Sequence, residues 1–430
     1  MKVLVLGGYG FIGADVIRAC ASAGFECVGL GRSVATGRRL LPGVDWIGAD
    51  MARLVDAEEW RTLLHGVDAV VNAAGALQDG ARDHLETIHH RAIVALVAAA
   101  EKAGVKRFIQ ISAPGADAGA STAFMRTKAM GDAAVRASSL DWVVFKPGLV
   151  IGRGAYGGTA LLRMLAGSPM MTPLVHASAR VQTVALDDVA AAVVAALKGE
   201  VPVRCDYDLA EEEPHTLREI VRSLRAQIGF APARIEPDLP AWVAAPVSAL
   251  ADAAGWFGWR SPLRSTAMKV MGENVIADPA PWRAATGRAL KSLDQTLAGL
   301  PGSAQERLFA RAQLALPLML VALAGFWIAS GAIGLARINE AAALLPDIGR
   351  RTAERMVVAG GLVDIAIGVG LLLRPTSRAA AALSVVIAAV YLVMGGILAP
   401  HLWADPLGPY VKIIPAMTLG LALAIMLEER

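Results

Sequence analysis

Gly7, Gly8, Gly10 and Gly13 follow directly on the apolar run Val3-Leu4-Val5-Leu6 and lead into a helical segment over 11–23. A glycine-rich turn between a buried strand and a helix lets backbone close on a phosphate group. Lacking a Cβ, Gly7 and Gly10 can take positive φ and approach a pyrophosphate, while Gly13 lets the helix pack against the strand. The amides at the helix start, those of Phe11 and Ile12, then hold the anion with help from the helix dipole. The expected ligand is a nicotinamide dinucleotide, NAD(H) or NADP(H).

The elements that must position this turn follow in order. A second strand over 26–30 ends in Gly31-Arg32-Ser33, where a dinucleotide fold meets the adenosine ribose. A carboxylate there would take the 2′-hydroxyl; Arg32 can pair with a 2′-phosphate, so NADP is expected ahead of NAD. Further strands are expected over 45–50, closing on Asp50, over 68–72, leading into Ala73-Ala74-Gly75, over 108–112 and over 142–146, followed by Pro147-Gly148. Strand carboxyl ends converge on the cofactor crevice, which makes Asp50, Ala73, Ala74, Gly75 and Pro147 candidate cofactor contacts. The βα alternation predicts an α/β fold, a doubly wound parallel sheet of Rossmann type.

Beyond residue 150 the pattern loosens. Asp187-Asp188 opens an alanine-rich helix, 204–209 reads as a late strand, and Thr216-Leu217-Arg218-Glu219 is a capping-box helix start. Aromatic residues between Trp242 and Trp282, among them Trp256, Phe257 and Trp259, read as a substrate cap. The expected division is a cofactor domain over 1–240, a cap and linker over 241–305 and a membrane domain over 306–430.

Forty-one basic residues face 38 acidic ones, a net charge of +3 spread along the chain. No basic tract of the kind that neutralises nucleic-acid phosphates occurs, so no nucleic-acid partner is expected. Cys20, Cys27 and Cys205 form no CxxC pair and have no histidine at ligand spacing; they read as reduced and buried, with no metal. His89 and His90 lie on a helix expected over 85–104 and point apart, which argues for solvated or capping roles. The N-terminal apolar run is too short for a signal peptide and belongs to the fold.

Taken together, GGYGFIG, Arg32, Asp50, NAAG at 72–75, Ser112, Lys128 and KPG at 146–148 resemble the extended and atypical short-chain dehydrogenase/reductases. The particular likeness is to the branch of the NAD(P)H-binding accessory subunit of respiratory complex I, over roughly residues 1–300. The resemblance implies that Ser112 polarises a carbonyl and that Lys128 holds the nicotinamide ribose. It also implies a tyrosine four residues before the lysine, and here that position is Phe124. Phenylalanine has no ionisable group, so a catalytic proton must come from elsewhere, Tyr156 or a water being the nearest candidates.

The C-terminal third has a different composition. Hydrophobic residues make up 55% of the chain and mean hydropathy is +0.50, yet the charges thin out mainly after residue 311. The run 312–336 carries no charge, and at ~1.5 Å per residue it exceeds the ~30 Å of bilayer hydrocarbon. Segments 356–373, with Asp364, 379–399, and 407–427, with Lys412, complete four expected spans, a pattern that resembles the DoxX-like membrane family. Flanking charges do not orient them: Arg307, Arg311, Arg374, Arg378 and Arg430 balance Arg337, Arg350, Arg351, Arg355 and Lys412. The cofactor pool instead places the N-terminal domain in the cytoplasm and the chain in the inner membrane. Asp364 is expected to be functional or to be hydrogen-bonded between helices, with Lys412 as a candidate partner.

Two functions compete. One is a membrane-anchored oxidoreductase acting on a small apolar carbonyl or quinone-like substrate drawn from the bilayer. The other is a non-catalytic NAD(P)H sensor or an assembly protein of a membrane complex, which Phe124 favours. Epimerase or dehydratase chemistry on a nucleotide sugar ranks lower because it also relies on the missing tyrosine.

Overall fold

The computed structural model describes residues 1–80 and 83–427; Arg430, counted above, lies outside the described residues. The chain forms two compact units, Met1–Gly255 with Arg260–Ala310, and Trp256–Trp259 with Arg311–Arg430.

In the first unit the central strands are apolar at consecutive positions because both faces of the sheet are covered. The strands are β1 (Lys2–Leu6), β2 (Glu26–Gly31), β3 (Asp45–Gly48), β4 (Ala69–Asn72), β5 (Arg107–Ile111), β6 (Asp141–Pro147) and β7 (Cys205–Leu209). They form one sheet in the order β7-β6-β5-β4-β1-β2-β3, every neighbouring pair parallel. Val3, Val5, Val71, Ile109, Val143 and Phe145 point to one face, covered by α1 (Phe11–Ser22) and α4 (Leu186–Lys198). Leu4, Leu6, Val70, Phe108 and Val144 point to the other, covered by α2 (Ala92–Ala103) with Val135 of α3 (Ala123–Arg136). Strand order reverses between β1 and β4, and a crevice opens at such a switch point beyond the strands' carboxyl ends.

Trp282 belongs to this sheet's core and not to a cap. It is buried edge-on against Phe145 and Tyr207, with ring centroids 5.9 and 5.8 Å apart. Among the cysteines only Cys20 is buried; Cys27 and Cys205 are half-buried. The capping box at Thr216 forms as expected, its side chain and that of Glu219 each bonding the other's amide.

The second unit contains helices long and apolar enough to cross a membrane: α7 (Ala304–Ala336), which begins in the first unit, α8 (Arg350–Leu372), α9 (Ser377–Leu398) and α10 (Pro409–Met426). Small residues let them approach closely, as spanning helices require when no water drives their association. A Cβ on Gly368 would lie 2.9 Å from the Ala324 carbonyl, and one on Gly361 would lie 3.1 Å from that of Gly331. Asp364 is buried here and accepts hydrogen bonds from the hydroxyls of Tyr391 (2.7 Å) and Ser330 (3.0 Å). Its partners are therefore hydroxyls, while Lys412 is exposed.

Candidate active site

The β1–α1 turn is built from backbone. Gly7 has φ +66°, and a Cβ on it would lie 2.8 Å from the Cα of Ala74 and 3.0 Å from the carbonyl of Ala73. The first turn and the end of β4 thus touch across the switch point. A Cβ on Gly13 would run into the Gly7 carbonyl, so this glycine sets the helix–strand distance. Gly10 departs from expectation: at φ −73°, ψ 176° it is extended, and only Gly7 of the two uses positive φ. Its amide donates to the Gly7 carbonyl at 2.8 Å, and a side chain there would begin 3.0 Å from that same oxygen. Gly10 caps α1 with no side chain, and the first turn holds no acidic residue to compete for an anion. The first amides of a helix have no intrahelical partner, so those of Phe11 and Ile12 are available to a phosphate. A cradle that any Cβ would narrow fits the pyrophosphate of a dinucleotide.

At the end of β2, Arg32 pairs with Asp83 at 2.9 Å, and Arg260 holds the same carboxylate at 2.8 Å. The next residue, Ser33, caps the helix Val34–Leu40. Asp50 accepts the Ala52 amide at 3.2 Å and so starts the turn after β3. Pro147 is buried and closes β6.

A buried polar chain runs across the carboxyl ends of β4 and β5. Asn72 donates to Gln110 (2.8 Å), Gln110 donates to one oxygen of Asp132 (3.2 Å), and the Ser112 hydroxyl donates to the other. Lys128 lies one helical turn before Asp132 on α3, so the two share a face, and its Nζ donates to the Ile111 carbonyl at 2.8 Å. All five side chains are buried. Burial pushes the Asp132 carboxyl up against the opposing pull of Ser112 and Lys128. Burial likewise pulls the Lys128 ammonium down, and Asp132 opposes it. The structure thus brings Ser112 and Lys128 together through Asp132. Asp132 and Gln110 were not singled out in the sequence, although a glutamine inside the apolar run Phe108-Ile109-Gln110-Ile111 is a polar group that must find a buried partner.

His89 is neither solvated nor capping. It is buried in a π-turn over Thr87–Arg91, and its Nε2 accepts the Ala76 amide at 3.1 Å. An amide can only donate, so the ring proton sits on Nδ1, 3.0 Å from the Thr127 hydroxyl, which donates in turn to the Phe124 carbonyl at 3.2 Å. Burial, reinforced by Lys128, holds this imidazole down at about 2. The half-buried Phe124 ring packs edge-on against it at 5.6 Å. Tyr156 is 48% exposed, and its hydroxyl accepts from Arg260 at 3.3 Å.

Two further helices, α5 (Ala241–Trp256) and α6 (Ser265–Gly272), are tied to the loops that follow β4 and β5. Gln78 donates to Asp252 at 2.8 Å, Arg264 to the Asp79 carbonyl at 2.6 Å, and Lys269 to the Ser121 carbonyl at 3.3 Å.

An open parallel sheet whose first turn is all backbone, with a buried lysine and serine at the end of β5, is the dinucleotide-binding class of fold. Residues 7–200 match the NAD(P)H-binding family and residues 324–421 the DoxX-like family. The chain belongs to the NAD(P)H-binding, short-chain dehydrogenase/reductase-like proteins and carries a DoxX-like membrane domain. It is 26% identical over 241 residues to a ceramide reductase of Caulobacter vibrioides, covering 55% of this chain and 74% of that protein. It is 28% identical over 258 residues to a 2-alkyl-3-oxoalkanoate reductase of Stenotrophomonas maltophilia, covering 53% and 76%. A chloroplastic protein of Arabidopsis thaliana is 29% identical over 178 residues, 39% of this chain, and the match spans only 57% of that relative's length. Among solved structures, a Bordetella bronchiseptica enzyme with NAD and UDP superposes with a TM-score of 0.54 at 18% identity, covering 73% of this chain and 97% of that one. At that identity the likeness shows the fold alone.

Proposed function

We propose that this chain is an NADPH-dependent reductase of an apolar carbonyl compound, a long-chain ketone ahead of a quinone. The hydrogen bond from Ser112 to Asp132 beside Lys128 carries the reading, because it offers a proton route where the phenol is missing. The two bacterial relatives, named as reductases of a ceramide and of a 2-alkyl-3-oxoalkanoate, support the substrate class.

The glycine cradle would hold the pyrophosphate of a reduced dinucleotide, whose nicotinamide would supply the hydride for the carbonyl carbon. The protein's own part is to hold the oxygen and deliver the proton. Ser112 would turn its hydroxyl from Asp132 to the substrate oxygen and donate there, and a proton taken up by the Asp132 carboxyl, which burial pushes up, would pass to the serine oxygen. Lys128, fixed by the Ile111 carbonyl, places a positive charge beside the developing alkoxide and the ribose. His89 takes no part as an acid, since it is neutral at any working pH; it sets the positions of Ala76 and Thr127. Arg32 selects NADPH by turning from Asp83 to the 2′-phosphate while Arg260 keeps the aspartate. The reductase domain faces the cytoplasm, where reduced cofactor is available.

The full-length protein in detergent tests this with NADPH and a long-chain 3-oxo ester. Ser112→Ala and Asp132→Asn should each lower kcat by about 10²-fold or more with NADPH affinity retained. Phe124→Tyr should raise turnover, and Arg32→Asp should move the affinity ratio toward NADH. Tight NADPH binding with no oxidation by either ketone or quinone would instead select the sensor or assembly reading, which the unionisable Phe124 favours.

A further inference from the structure

The helix α5 is inverted relative to an ordinary surface helix. At about 100° per residue, Ala244, Ser248, Ala251 and Gly255 fall on one side and are buried or half-buried, with the half-buried Asp252 and Ala254 at its edges. The flank about 100° round from it carries Val243, Val247 and Leu250, with Trp242 on the far side, all exposed, Trp242 at 74% and Leu250 at 73%. The one charge of the helix, Asp252, is turned inward to Gln78 and the Ser265 amide. The more apolar face therefore points away from the protein. A contiguous apolar surface of this kind marks a contact with lipid or another protein.

The chain identifies which. The last residue of α5, Trp256, opens the segment Trp256–Trp259, which belongs to the spanning unit. There the Trp259 indole donates to the Leu372 carbonyl at 2.7 Å, the Arg374 guanidinium lies 5.4 Å over the Trp259 ring, and the Arg374 amide donates to the Phe257 carbonyl at 3.0 Å. Leu372 ends α8, so Trp259 and Arg374 stand where a spanning helix stops, the depth at which tryptophan and arginine anchor membrane proteins. Between α5 and α6, Val175, His176, Ala244, Ser248 and Met268, with Lys269 at one side, line an open cavity of about 280 Å³, close to the lower end of ligand-sized pockets.

We propose that α5 lies in the headgroup–acyl boundary of the bilayer, with Trp242, Val243, Val247 and Leu250 in lipid, and that the cavity between it and α6 admits an acyl chain sideways from the membrane. Admission of substrate rests on the long-chain carbonyl reading above. Lipid contact does not, and it is measured without turnover.

The full-length Leu250→Cys protein, with Cys27 and Cys205 replaced by alanine, is spin-labelled and reconstituted into phosphatidylcholine–phosphatidylglycerol vesicles. The label should be relaxed by oxygen in preference to a water-soluble nickel chelate, the reverse of a label at exposed Glu58. Access to nickel would put the helix in water, and shielding from both reagents would put protein, such as a second copy, over it; either result overturns the proposal. A phospholipid with a diazirine near the end of one acyl chain should crosslink to α5 and to Met268, the latter contact being lost in Ala244→Trp. Crosslinks confined to the spanning helices would overturn the cavity route even if the ketone is reduced. Crosslinks as expected without any turnover would leave the lipid contact standing and remove the reductase reading.

Discussion

His89 is a titratable residue that this fold holds neutral. Its Nε2 must keep a lone pair for the Ala76 amide, and Lys128 makes a second positive charge costly. Because its folded value is held down at about 2 while the unfolded chain titrates near 6.5, the unfolded state binds more protons between those limits. The stability that the neutral ring contributes is complete above pH 6.5 and is lost as pH falls toward 2. From pH 7 to pH 5 the sheet should lose about 2 kcal/mol on this account alone. Hydrogen exchange of the β4 and β5 amides, measured at both pH values and corrected for intrinsic exchange, reads that loss. His89→Gln should flatten the dependence, and an equal slope in the variant would assign it to other groups.

At the scale of elements, the site depends on how closely α3 meets the π-turn that carries His89. Gly131 permits it: a Cβ there would be driven into the His89 carbonyl. Alanine is intrinsically favoured over glycine inside a helix by about 1 kcal/mol, so Gly131→Ala would stabilise an unencumbered α3. Here the clash is with backbone, which cannot step aside as a side-chain end can, and a net loss of about 1–3 kcal/mol is expected. The turn should shift with it, loosening the Ala76–His89–Thr127 chain and weakening NADPH binding. A thermal melt and an NADPH titration of the same variant check both effects; unchanged stability would mean that α3 is less constrained than the structure shows.

For the whole molecule, the decisive property is that four apolar helices follow a water-soluble type of fold in one chain. Apart from the positions opposite Pro317 and Pro415, which have no amide to donate, such helices pair their backbone groups internally, as the hydrocarbon requires, and their exposed side chains include Leu318, Val321, Val386, Ile397 and Ile425. The full chain should remain in the membrane pellet after alkaline carbonate extraction. With four spans, reporters fused before residue 1 and after residue 430 should lie on the same side of the membrane. Reporters on opposite sides would show that one of the four does not cross.

What the amino-acid order determined by itself is local. The glycine turn at 7–13, the doubly apolar strands, the capping box at Thr216 and the four long apolar runs are each written in neighbouring residues, because conformational freedom, periodicity and hydropathy act over one element. Tertiary structure decided what depends on distant residues meeting. It put Gly10 in an extended conformation and reserved positive φ for Gly7. It buried His89, joined Ser112 to Asp132, and gave Asp364 the hydroxyls of Tyr391 and Ser330. It also divided the aromatic cluster, sending Trp282 into the sheet's core and Trp256–Trp259 to the spanning unit. Burial and pairing are set by surroundings assembled from residues tens of positions apart, so a residue's type limits its chemistry while only the packed fold assigns its partner.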